Sequence, residues 1–172
     1  CGLGRTGTWF GYQQFGIKPD FVTMAKGVAS GYAAISCCVT TNEVFDKFTD
    51  DSSHMNYFRD ISTFGGCTGG PAAAIENMKI LMEEDLLGNS TRIGAHLKNN
   101  LHGLKTKEPM PEKMVAQIVG DCMAQGVIIG MTNRSLPGFN NTLLFAPPLI
   151  ATKDDLNNVT EAVGRAIKKV VG

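Results

Sequence analysis

An α/β fold is predicted by two features of the sequence. Short apolar runs bounded by Gly, Pro or Thr/Asn read as strands, and they interleave with longer stretches whose apolar residues fall at helical spacing. With 172 residues and 43% hydrophobic content, the chain is long enough for one sizeable core or two small ones.

Glycine punctuates the first third, where the apolar runs at residues 21–25 and 33–39 have the composition of buried strands. P-A-A-A-I-E-N-M-K-I-L-M-E follows at residues 71–83. Pro71 suits the first helical position there, and Ile75, Met78 and Met82, with Leu81, fall at helical spacing. A second helical pattern covers residues 86–104, and a third covers 111–125 and closes on Gly126 as its C-cap. Residues 127–131 and 142–146 read as strands. The last helix opens on T-K-D-D, a capping box of Thr152 and Asp155, and runs to the end. A boundary near residue 86 separates a Gly-rich part, residues 1–86, from a helix-rich part, residues 87–172. L-H-G-L-K-T-K-E-P-M-P-E passes from one helix to the next without a strand, so a segment is expected to be missing near residues 104–105.

The balance of 16 basic and 16 acidic side chains exerts no net pull on nucleic acid or anionic lipid, which leaves small molecules as the expected partners. The five cysteines are odd in number, form no C-x-x-C pair and sit in apolar or Gly-rich stretches, as suits reduced thiols and a cytoplasmic location. N-x-S/T triplets at Asn89, Asn133, Asn140 and Asn158 read as chance matches, since neither a signal peptide nor a long apolar run accompanies them. His54, His96 and His102 lack metal-ligand spacing, and no metal is expected.

Two constellations could carry chemistry. Gly2, Gly4 and Gly7 spell G-x-G-x-x-G, but a dinucleotide fingerprint needs a preceding strand, a long following helix and an acid about 20 residues on. Only the short T-W-F-G-Y-Q-Q-F-G follows, and Cys1 begins in the middle of the glycine turn. Lys26 is more informative, because it follows the strand-like F-V-T-M-A and precedes Gly27, placing an amine at a strand's carboxyl end beside a turn. A lysine snorkelling from a strand terminus is the commoner arrangement. Burial, however, favours a neutral lysine amine, the form that condenses with an aldehyde.

The runs G-L-G-R-T-G-T-W-F, G-I-K-P-D-F-V-T-M-A-K-G and S-G-Y-A-A-I-S resemble the lysine region of the class III aminotransferases, which use pyridoxal 5′-phosphate (PLP). I-S-T-F-G-G-C-T-G-G-P-A-A-A resembles that family's S-T-F-G-G segment, and F-A-P-P-L-I-A-T-K-D-D-L its C-terminal P-P-L motif. Order and spacing agree over nearly the whole chain.

The resemblance implies a fold-type-I PLP-dependent transferase. Residues 1–86 would be the C-terminal part of the large PLP-binding domain, and residues 87–172 the small α/β C-terminal domain. Lys26 matches the lysine that holds PLP covalently and shuttles the substrate's proton. Thr63 matches the threonine that reaches the PLP phosphate of the neighbouring subunit, with Ser62 a second candidate and Gly65 and Gly66 allowing close approach. A homodimer or dimer of dimers follows. The aspartate that pairs the pyridine nitrogen, the phosphate loop and the ring-stacking aromatic belong to positions ahead of Cys1. Arg134, in T-N-R-S-L-P-G-F-N-N, corresponds to an arginine that bonds a substrate acid group, for which a guanidinium fork is suited. Trp9 and Tyr32 could line the cleft, and Arg5 reads as a structural residue of its turn.

Residues 57–68 and 127–135 resemble the taurine-using branch of the family. That branch implies ping-pong transfer from taurine, or next β-alanine, to pyruvate. Another PLP chemistry on the same fold, such as that of a racemase, aminomutase or decarboxylase, is the alternative, and a catalytically dead contact domain or a nicotinamide oxidoreductase are more distant ones.

Overall fold

The computed structural model describes residues 1–49, 56–104, 110–132 and 141–172. The chain divides into two compact units, Cys1–Gly88 and Asn89–Gly172.

In the first unit, the opening glycines close a turn on its own backbone. Gly4 N–H donates to Thr8 O and Gly7 N–H to Gly4 O, and both glycines have positive φ, 90° and 80°. Amides spent in this way do not cradle a phosphate, and only the 3-10 helix Gly11–Phe15 follows. Strands β1 (Phe21–Ala25) and β2 (Ser36–Thr40) pair antiparallel, with Phe21 opposite Thr40 and Ala25 opposite Ser36. The expectation of buried strands is not met. These two form a sheet of their own, so neither is covered on both faces, and β1 alternates exposed and half-buried residues.

The 3-10 turn Lys26–Ala29 leaves β1, and the short helix α1 (Asn42–Phe45) follows β2. Helix α2 (Gly69–Glu83) starts two residues before Pro71. Its stripe is also rotated from the expected one. Ala74 and Leu81 are buried, whereas Ile75 and Met82 are 52% and 60% exposed. The turn Lys26–Ala29 packs on this helix, with Val28 and Ala29 buried.

In the second unit, α3 (Leu86–His102, crossing the boundary) is followed by α4 (Glu112–Ala124), β3 (Gly130–Met131), β4 (Leu143–Leu144) and α5 (Lys153–Val171). The predicted strands are shorter than their apolar runs, and they pair antiparallel, with Gly130 opposite Leu144. Ile118 and Cys122 of α4, Ile129, and Val163 and Ala166 of α5 form one core cluster, while Ile93, Leu97, Ala151 and Leu156 form a second. Burial pushes the Cys122 thiol above its ordinary range, with Asp121 adding to the effect, so this thiol is inert packing. Asn89 is also structural, since its amide donates to Leu149 O and Ala151 O at 2.7 and 3.1 Å.

Both predicted helix ends form. Gly126, φ 80°, donates to Met123 O, and Val127 donates to Cys122 O, the paired bonds of a Schellman motif. At the start of α5, Thr152 N–H donates to Asp155 Oδ2 at 2.8 Å and Asp155 N–H returns to Thr152 Oγ1 at 3.2 Å. The Thr152 backbone N–H, then its hydroxyl, hold the Asp155 carboxyl below the usual carboxylate range. Because the folded-state pKa is depressed, this contribution is present above the pH at which an unfolded aspartate titrates, about 3.9, and disappears as pH falls through the lower folded value. Thr152→Ala should destabilise the protein by about 1 kcal/mol at neutral pH. Melting curves should also show the gap between wild type and Asp155→Asn narrowing from about pH 5 downward. A gap that widened with acid would refute the assignment.

Candidate active site

Lys26 stands where β1 ends, and its backbone is the unusual feature of the region. Its φ is 54°, in the left-handed region, and Ser30 at the far end of the turn has φ 51°. The sequence points to Gly27 as the residue that would absorb the turn, yet the left-handed conformation falls on the lysine, at a cost of roughly 1–2 kcal/mol. The surroundings must therefore hold it there. Buried Val28 and Ala29 anchor the turn on α2, and Ser30 N–H donates to Gly27 O at 3.1 Å. The side-chain amide of Asn77, from α2, donates to Gly27 O at 3.0 Å and to Val28 O at 3.1 Å.

The expectation that Lys26 emerges from a buried strand end is corrected. The lysine is exposed in this unit, and the strand that leads to it alternates exposed and half-buried residues. Among the described residues no carboxylate or hydroxyl bonds its ammonium.

Ser62 and Thr63 lie in an exposed turn just ahead of α2. Gly65 N–H donates to Ser62 O at 3.1 Å, and a Cβ on Gly65 would lie 3.2 Å from that same oxygen. Gly66, φ 82°, completes the bend. The two glycines thus shape a tight loop in which Ser62 and Thr63 are both exposed, and no hydrogen bond links either hydroxyl to Lys26 among the described residues. Lys26 supplies a primary amine that can condense with an aldehyde, and Ser62 and Thr63 supply exposed residues whose hydroxyls can donate to a phosphate, so these residue types fit PLP.

Arg134 lies outside the described residues. Trp9 is half-buried and Tyr32 is 91% exposed. Pro147 and Pro148 of the P-P-L segment line a cavity of about 470 Å³ in the second unit, with Leu97, Val127, Phe145 and Leu156. The acid at its edge, Asp155, is already engaged by Thr152. Among the described residues no group of three metal-ligating side chains occurs, and no helix is long and apolar enough to cross a membrane. All five cysteines are free thiols.

The family described as aminotransferase class-III matches residues 1–167. This chain belongs to the class III aminotransferases. Its curated relatives include the hypotaurine/taurine–pyruvate aminotransferase of Paracoccus denitrificans, 57% identical over 99% of this chain and 43% of the relative. The taurine–pyruvate aminotransferases of Rhodobacter capsulatus and Bilophila wadsworthia are 51% and 47% identical over the same shares. This class III chain therefore spans less than half the length of the curated relatives it matches. The alignments extend over 196 positions, more than the chain's 172 residues, so these relatives carry residues within the matched span that it lacks. Among solved structures, a Bacillus anthracis aminotransferase superposes with a TM-score of 0.84 at 28% identity, covering 98% of this chain and 43% of that one. A transaminase from the marine bacterium Virgibacillus gives 0.84 at 26%, with the same coverage. The fold is thus that of the PLP-dependent transaminases.

Asn77 is the residue that sequence reasoning missed. Its signal was present, since it lies three residues after buried Ala74 and four before buried Leu81, a polar side chain on the buried stripe of α2.

Proposed function

We propose that this chain is the C-terminal part of a PLP-dependent aminotransferase that moves the amino group of taurine, or of a closely related short ω-amino acid, to pyruvate. Carrying this reading is the 57% identity to a protein named for hypotaurine, taurine and pyruvate, together with the place of Lys26 in a braced turn at the end of β1. Taurine leaves as the corresponding aldehyde, and pyruvate receives the nitrogen to become alanine.

When bound, PLP supplies the aldehyde that accepts the amine and the ring that takes up electron density from the substrate carbon. Lys26 holds the cofactor covalently until substrate displaces it, and its ε-amine then carries the proton that leaves one carbon and is delivered to another. Thr63, with Ser62 beside it, binds the phosphate of the partner subunit's cofactor, so the active unit is a homodimer or a dimer of dimers. In this reading Cys1–Gly88 closes the large cofactor-binding domain, Asn89–Gly172 is the small C-terminal domain, and Arg134 clamps the donor's acid group. Free thiols fit a cytoplasmic setting.

A kinetic panel of amino donors tests the substrate. With pyruvate as acceptor, kcat/KM should be highest for taurine or hypotaurine and next for β-alanine, ahead of γ-aminobutyrate, ornithine and a simple alkyl amine. Arg134→Ala should cost the acidic donors about tenfold or more, the worth of a hydrogen bond to a charged group, and spare the alkyl amine. If ornithine or the alkyl amine were the best donor, the taurine reading would fail.

A further inference from the structure

We propose that Asn77 is a positioning residue for Lys26, acting through the backbone that carries the lysine rather than through the cofactor. The inference rests on the reading of Lys26 given above. Three observations converge on it. Lys26 has φ 54° and Ser30 φ 51°, so the turn between them is bounded by two non-glycine residues in a conformation that favours glycine. The carbonyls of Gly27 and Val28, the two residues directly after the lysine, both accept from the single amide nitrogen of Asn77 at 3.0 and 3.1 Å. Asn77 is itself fixed, half-buried on the middle turns of α2 between Ala74 and Leu81, both 4% exposed.

An amide has two hydrogens, one for each carbonyl, so the side chain is matched to this pair. Gly27 has open space around its missing side chain and no positive φ, and therefore does not fix the turn. The direction of the Lys26 side chain follows from the backbone path through the turn, and Asn77 holds that path one and two peptide planes beyond the one that joins Lys26 to Gly27. Aspartate, of the same shape, would instead point a carboxylate oxygen at two carbonyl oxygens.

The test uses full-length enzyme stripped of cofactor, to which pyridoxal phosphate is added. The rate at which the visible band of the covalent Lys26 linkage appears, and the pH midpoint of that band, report the placement of the amine independently of turnover. Asn77→Ala and Asn77→Asp should slow the appearance of the band by between about 10- and 100-fold, the scale of an ångström's misplacement, and shift the midpoint. Asn77→Gln, which keeps the amide, should recover most of the rate. Melting of the cofactor-free protein is followed in parallel, because a merely structural role would lower the melting temperature while leaving rate and midpoint at wild-type values. That pattern would overturn the proposal. Borohydride fixation of the wild type separates the two levels. Fixation on Lys26 with unperturbed Asn77 variants refutes only the role of Asn77, whereas fixation on another lysine refutes the reading of Lys26 and this inference with it.

Discussion

Lys26→Ala in the full-length protein should abolish measurable transamination while leaving the cofactor bound non-covalently. A positioned proton carrier contributes about 10²–10⁴-fold, and the lost covalent attachment adds to that. The contacts to the phosphate and ring come from other residues, so affinity should fall far less than rate. Removing the side chain also leaves Val28 and Ala29 buried on α2 and the bonds from Asn77 to the backbone in place. The variant should accordingly melt close to wild type, which separates loss of chemistry from loss of fold. Mass spectrometry of the borohydride-reduced wild type should find the phosphopyridoxyl group on the peptide that contains Lys26. A variant that still turned over at a tenth of the wild-type rate would sink the assignment.

Thr63→Ala should weaken cofactor retention by about tenfold or more, because a hydrogen bond to a charged group is worth roughly 1.5–3 kcal/mol. The chemical step at saturating cofactor should change little. Thr63 is exposed in its own unit, as a contact with a partner subunit requires. Mixed dimers give the sharper measurement. One Lys26→Ala subunit paired with one Thr63→Ala subunit places both defects in the same site and leaves the other site intact. At limiting cofactor such a heterodimer should show about half of wild-type activity, well above the Thr63→Ala homodimer. Activity no greater than that homodimer's would mean that Thr63 serves its own subunit.

Helix ends were the most legible feature of this sequence, because their determinants are local. Gly126 and the Thr152–Asp155 pair act within a few residues of themselves, and each forms as predicted. The extent and burial of strands were less legible. Nothing in the run F-V-T-M-A tells whether a second strand or a helix covers it, and the pairing with residues 36–40 leaves one face of it open. The stripe of α2 was legible at Leu81 but not at Ala74, because apolar size favours Ile75 and Met82, which are exposed, over the small residue that is buried. For the candidate site, the sequence singles out the lysine by its motif and its place after a strand-like run. The lysine's left-handed backbone could not be read there, since a glycine stands beside it and invites that role, and the bonds from Asn77 span about fifty residues of chain.

With the role proposed for Lys26, its left-handed backbone sets robustness against reactivity at a single residue. Glycine at position 26 would adopt the same conformation without penalty, so the fold would improve by about 1 kcal/mol while the reaction vanished. A laboratory screen that selected variants of this protein on heat tolerance alone would therefore enrich dead enzymes, and the first site to be lost would be the one that most needs to be kept.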